Sequence, residues 1–96
     1  MTAIIGWAHS KFGKLEAETL ESLIASIAAE AIADAGLAAK DIDTIYVGNF
    51  GGFEKQSFPA AFALKASPDL RFKPATRVEN ACATGSAAVH AADMSI

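Results

Sequence analysis

Arg77-Val78-Glu79-Asn80-Ala81-Cys82-Ala83-Thr84-Gly85-Ser86-Ala87-Ala88-Val89-His90 holds the chain's single cysteine where one local pattern gives way to another. Ala75 to Val78 reads as a short strand, and from Ala83 to Ile96 small helix formers follow one another without a proline. Cys82 therefore falls at the entrance of a helix. A thiol attacks only as thiolate, and the unpaired backbone N–H groups of a helix start, with the positive end of its dipole, favour that charged form. The same N–H groups are suited to hold the oxygen that turns negative when a thiolate adds to a thioester carbonyl. The junction alone leaves two readings open. Either nucleophile and part of an oxyanion site share one turn, or Cys82 is a small buried hydrophobe, as most lone cysteines are in a reducing cell.

Upstream of the junction, Ser57-Phe58-Pro59 reads as a helix start, since proline is tolerated in a first turn. Phe58, Ala61 and Phe62 share one side for packing, and Ser67-Pro68 ends the element. Lys65, Arg71, Lys73 and Arg77 could meet phosphates, but scattered cations belong to surfaces and none is assigned a site. Thr44-Ile45-Tyr46-Val47 is a β-branched and aromatic strand that stops at Gly48. Gly48, Gly51 and Gly52 lack the following Lys-Ser or Lys-Thr of a phosphate cradle and read as a flexible loop.

Further back, Thr19 can cap a helix on which Leu20, Leu23, Ile24, Ile27, Ala28, Ala31, Ile32 and Ala35 recur at three- and four-residue spacing. Gly36 supplies the left-handed residue that ends it, with Leu37 placed for the accompanying apolar contact. Glu21 and Glu30 lie off this stripe and read as a solvated face, not an acid–base pair. Lys40 to Asp43 is a connector. Thr2 to Ala8, with two adjacent isoleucines, is consistent with a strand buried on both faces, and His9 to Glu18 with a loop whose histidine is solvated. The expected fold class is α/β, with three strands in β-α-β-α-β-α order and a largely parallel sheet joined by a right-handed helical crossover.

The last helix is apolar or glycine apart from Thr84, Ser86, His90, Asp93 and Ser95, which marks an element covered on several sides. The preceding segments can hardly enclose it, and its pattern runs to Ile96 without a capping glycine. The expectation is that residues 1–96 are the N-terminal part of a domain whose core other polypeptide completes. His90 stands eight residues beyond Cys82, roughly two helical turns or ~12 Å, too far along one helix to activate the thiol.

Composition narrows the class. With 52% hydrophobic and 20% charged residues, the 96-residue chain is globular and not disordered, and is one small domain at most. A net charge of −3 without a basic stripe argues against nucleic acid as partner. One cysteine forms no internal disulfide, which fits a reducing compartment. Met1 to Ser10 lacks the cationic flank and apolar core of a signal peptide, and no apolar run approaches the ~20 residues that span a bilayer. The expectation is a cytoplasmic chain without a membrane partner. Gly-x-Ser-x-Gly, Cys-x-x-Cys and Walker-type patterns are missing, and no metal site is expected.

Asn80-Ala81-Cys82-Ala83-Thr84-Gly85-Ser86-Ala87-Ala88 resembles the nucleophile segment of the thiolase family, most closely its sterol-carrier-protein-type members and acetyl-CoA acetyltransferases. Ala3-Ile4-Ile5-Gly6-Trp7-Ala8-His9-Ser10-Lys11-Phe12-Gly13-Lys14 looks like the first strand and loop of that group. Val47-Gly48-Asn49-Phe50-Gly51-Gly52 resembles its second strand and glycine-rich turn. The three matches fall in the family's order. The resemblance implies the start of a thiolase half-domain, whose sheet continues with further strands and whose enzymes are several times longer. It implies Cys82 as the residue acylated by an acyl-CoA or 3-ketoacyl-CoA, with coenzyme A thioester as substrate and no bound cofactor. It also implies a homo-oligomer or a complementary thiolase chain as partner. The family's histidine base and second cysteine lie in its later half and have no counterpart here, so the 96 residues alone are expected to turn over little or nothing. Two alternatives remain: a non-catalytic interaction module or partner subunit, and a β-ketoacyl-synthase-like condensing enzyme. Ala83-Thr84-Gly85-Ser86 after the cysteine inclines toward the thiolase side.

Overall fold

A computed structural model of the chain describes residues 1–51 and 58–96. Its longest element begins where a hydroxyl can replace a missing helical partner. Thr19 has extended backbone, its hydroxyl accepts the Ser22 N–H at 3.0 Å, and the Ser22 hydroxyl accepts the Thr19 N–H at 2.9 Å. This reciprocal capping box satisfies two orphan donors and starts α1 (Leu20–Asp34). At the other end Gly36 takes φ +71°, its N–H reaches the Ala33 carbonyl at 3.0 Å, and the Leu37 N–H reaches that of Ile32 at 3.3 Å. Those two bonds make a Schellman ending, for which a left-handed glycine is the least strained residue.

The apolar stripe of α1 faces a 3₁₀ helix, Pro59–Ala66, in which Pro59, Ala60 and Ala63 are buried. Leu20 is buried on the α1 side, and Leu70, at the end of a second 3₁₀ turn (Pro68–Leu70), is fully enclosed. The alanines let the two helices approach closely. Glu21 keeps a solvent-accessible side chain and pairs with Lys65 across this contact. Exposed pairs of this kind stabilise by about 0–1 kcal/mol.

Two strands form the sheet of the described residues. β1 (Ile45–Gly48) and β2 (Ala75–Val78) run parallel, with Ile45 opposite Ala75 and Gly48 opposite Val78. The Ile45 N–H to Pro74 carbonyl bond (2.9 Å) and the Asn49 N–H to Val78 carbonyl bond (3.1 Å) extend the ladder at each end. A helix, α2 (Thr84–Met94), packs mainly on β1, and the Tyr46 hydroxyl meets Ser95 Oγ at 2.5 Å to pin its far end. The α/β class with parallel pairing is thus present.

Several local expectations change. Thr2 to Ala8 forms no strand among the described residues. Its backbone lies instead against the end of α1, so close that a Cβ on Gly6 would sit 2.7 Å from Ala35 and 2.8 Å from the Ala31 carbonyl. The Trp7 N–H donates to Asp34 Oδ2 at 3.0 Å, and Ile4 and Ile5 are exposed. An apolar run specifies burial, but a strand also needs a neighbouring backbone to pair with, and here the segment's Trp7 donor meets a side chain. The described sheet therefore has two strands, not three, and the described part of the connection between them contains the 3₁₀ helices where an α-helix was expected. Phe58 is exposed where packing was expected, while Phe62 is half-buried; Gly52 and Ser57 lie outside the described residues. The final helix opens with a 3₁₀ turn and stops at Met94, not Ile96, and its Val89 and Met94 are exposed, as expected if these 96 residues do not enclose it. No helix of the described residues is long and apolar enough to cross a membrane.

Candidate functional site

Cys82 occupies a tight 3₁₀ turn, Ala81–Ala83, between the end of β2 and the start of α2, and its thiol is free and exposed. The turn is built by its neighbours. Asn80 leaves the strand with φ −154° and ψ 50°, and Ala81 then takes φ +47°, a left-handed conformation uncommon for a residue with a Cβ. The Glu79 carboxylate accepts the Ala81 N–H at 2.5 Å. The Ala83 N–H donates to the Asn80 carbonyl at 2.9 Å, and the Thr84 N–H to that of Ala81. Those two donors close the turn. Among the described residues no acceptor lies on the N–H of Cys82 itself, which leaves that donor beside its own sulfur.

The loop after β1 reaches the same end of the sheet. Arg77 Nε donates to the Asn49 carbonyl at 2.8 Å, and the Gly51 N–H to Asn49 Oδ1 at 2.9 Å, while the Asn49 N–H bonds Val78. Cys82 and this loop thus stand together at the carboxyl ends of two parallel strands, the side on which open α/β sheets bind their ligands.

The other residues considered from the sequence are placed elsewhere. His9 lies in the loop before α1, its Nδ1–H donating to the Ser10 carbonyl at 2.6 Å and its ring stacked 5.2 Å from that of Trp7. His90 is exposed on α2 and borders the cleft between that helix and residues 2–4. Glu30 is exposed on α1. Three of the four cations engage the chain itself: Lys65 with Glu21, Arg77 with Asn49, and Lys73 Nζ with the Lys40 carbonyl at 3.2 Å. Arg71 borders an open hollow with Leu64 and Pro68. What the spacing alone did not reveal is Thr84, the buried polar residue of the described chain. A hydroxyl in the first turn of a helix that can reach back to the preceding backbone was the available signal.

The class of protein is thus α/β, with one cysteine presented on a strand–turn–helix bend at the carboxyl edge of a parallel sheet. Comparison with known proteins makes this specific. The family model described as "Thiolase, N-terminal domain" matches residues 2–96. An acetyl-CoA acetyltransferase of Methanocaldococcus jannaschii is 41% identical over 96 residues, 98% of this chain and 24% of that protein. Another, of Methanothermobacter thermautotrophicus, is 36% identical over 96 residues, 98% of this chain and 25% of that protein. The chain belongs to the thiolase family, and it spans about a quarter of the length of these two curated relatives.

Proposed function

We propose that this chain carries the nucleophile of a thiolase-type acyltransferase and that Cys82 is acylated by a coenzyme A thioester. The observation that supports this most is the exposed thiol at the strand–helix bend, with its own N–H beside it and the neighbouring N–H groups absorbed by the turn. In the reaction the Cys82 thiol loses its proton to a base and the thiolate sulfur bonds to the thioester carbonyl carbon. The carbonyl oxygen becomes an oxyanion, for which the Cys82 N–H is the proposed donor from this chain. The carbon–sulfur bond to coenzyme A then breaks, and the departing thiolate takes up a proton. An acyl thioester on Cys82 remains.

The base is not supplied by the residues around this turn. His9 lies before α1 and His90 two helical turns beyond the cysteine, so the 96 residues alone are expected to give little or no turnover while Cys82 can still be acylated. The groups that complete the site belong to further thiolase polypeptide, and the assembly is a homo-oligomer or a complex with a complementary thiolase chain, in the cytoplasm, acting in lipid metabolism. Exposed apolar side chains on residues 4–7 and 89–96 support such an association. The same exposure favours a second reading, a non-catalytic partner subunit of a thiolase-like complex. Incubation with acetyl-CoA, followed by intact mass measurement beside a Cys82→Ser control, separates the two: an acetyl adduct confined to the wild type is expected, and equal adduct in both removes the nucleophile.

A further inference from the structure

Thr84 is only 7% exposed, yet it begins the helix beside an exposed cysteine. Its hydroxyl is fully engaged on the turn: it donates to the Ala81 carbonyl at 2.6 Å and accepts the Asn80 N–H at 2.9 Å. Its own N–H also reaches the Ala81 carbonyl, so Thr84 grips Ala81 with both backbone and side chain. Its Cγ2 and carbonyl oxygen meanwhile pack on the end of β1, where a Cβ on Gly48 would lie 3.1 Å from each. One side chain thus joins three things: the strand exit at Asn80, the left-handed residue before the cysteine, and the neighbouring strand. Ala81 has no intrinsic preference for φ +47° and keeps it because groups around it hold its N–H and its carbonyl.

We propose that Thr84 is the positioning residue for Cys82: its hydroxyl locks Ala81 in the left-handed conformation and thereby aims the thiol away from the helix–sheet packing and toward substrate. The proposal deepens the acyl-transfer reading above and rests on it. The hydroxyl touches no substrate and moves no proton; it fixes the direction of the bend. Its two protein partners use its hydrogen and one lone pair, which accounts for a buried hydroxyl where a methyl would pack equally well.

The test uses the protein in its full-length, assembled form and follows Cys82 by intact mass, with folding checked by far-UV circular dichroism. Thr84→Val keeps the shape and removes the hydrogen bonds, whereas Thr84→Ser keeps the bonds and removes a methyl. With acetyl-CoA as donor, Thr84→Val is expected to lower the limiting rate of Cys82 acetylation tenfold or more with the half-saturating concentration unchanged within twofold, and Thr84→Ser to stay within threefold of wild type. Adding Ala81→Gly to Thr84→Val is expected to restore much of the rate, because glycine adopts the left-handed conformation unaided. A wild-type limiting rate in Thr84→Val, a Thr84→Ser variant as slow as Thr84→Val, or no recovery in the double variant overturns the proposal. Loss of folded signal with valine in both backgrounds does the same, since Thr84 then serves stability alone. If wild-type Cys82 is not acetylated, the acyl-transfer reading fails separately. Iodoacetamide then decides on Thr84: a threefold or greater slowing in Thr84→Val that serine reverses supports the role, and equal rates overturn it.

Discussion

Ala81 shows how a single residue can be strained on behalf of its neighbour. A left-handed alanine costs about 1–2 kcal/mol relative to the right-handed form, and here φ is +47° immediately before Cys82. Ala81→Gly removes that strain but adds about 0.5–1 kcal/mol of unfolded-state entropy to be lost on folding. The net expectation is a small stabilisation, up to about 1.5 kcal/mol, read as a higher urea midpoint with unchanged slope. A lower midpoint would mean that the Ala81 methyl makes contacts worth more than its strain. The cysteine itself was legible, since the order Asn80-Ala81-Cys82-Ala83-Thr84 marks a bend into a helix. The left-handed alanine was not, because the Glu79 carboxylate and the Thr84 hydroxyl hold its N–H and carbonyl, and alanine has no intrinsic preference for that conformation.

At the scale of elements, α1 was readable almost to the residue. Its cap, stripe and left-handed ending are all interactions within a few positions of one another, and Thr19, Leu20 and Gly36 behave as their spacing dictates. Residues 2–8 behave differently. Their apolar run was compatible with a strand, but their partner is the end of α1, met through Gly6 and the bond from Trp7 to Asp34. Gly6→Ala places a methyl 2.7 Å from Ala35 Cβ and 2.8 Å from a backbone oxygen, neither of which can swing aside. The docking of this segment is expected to weaken by about 1–3 kcal/mol. Limited proteolysis would then cut residues 1–9 faster while far-UV circular dichroism keeps the α1 signal. An unchanged cleavage rate would show that the segment is not held through Gly6.

Across the whole molecule, burial is thin for a sequence so rich in apolar residues. Leu20, Ala60, Ala63 and Leu70 are the buried hydrophobic residues of the described chain, while Ile4, Trp7, Val89 and Ile96 are each at least 60% exposed. Apolar surface on this scale favours association. The 96-residue chain is therefore expected to self-associate at micromolar concentration and to bind ANS, as judged by sedimentation velocity and fluorescence. Ile4→Lys combined with Val89→Lys, on either side of the cleft between residues 2–4 and α2, should reduce both signals. A monodisperse monomer that binds no dye would count against an association surface.

By itself the sequence determined the local elements and the place of the thiol: caps, helical stripe and strand–helix junction arise from interactions between residues close in the chain, and the order around Cys82 carries the family likeness. Only the tertiary structure decided which strands pair, where residues 2–8 dock and which strand the bend packs against. Those outcomes depend on contacts between residues far apart in the chain: the Trp7 N–H with Asp34, the Tyr46 hydroxyl with Ser95, and the Thr84 face against Gly48. Hydrophobic pattern specifies that a segment is to be buried, but the partner that buries it is chosen by shape and hydrogen bonding across the fold.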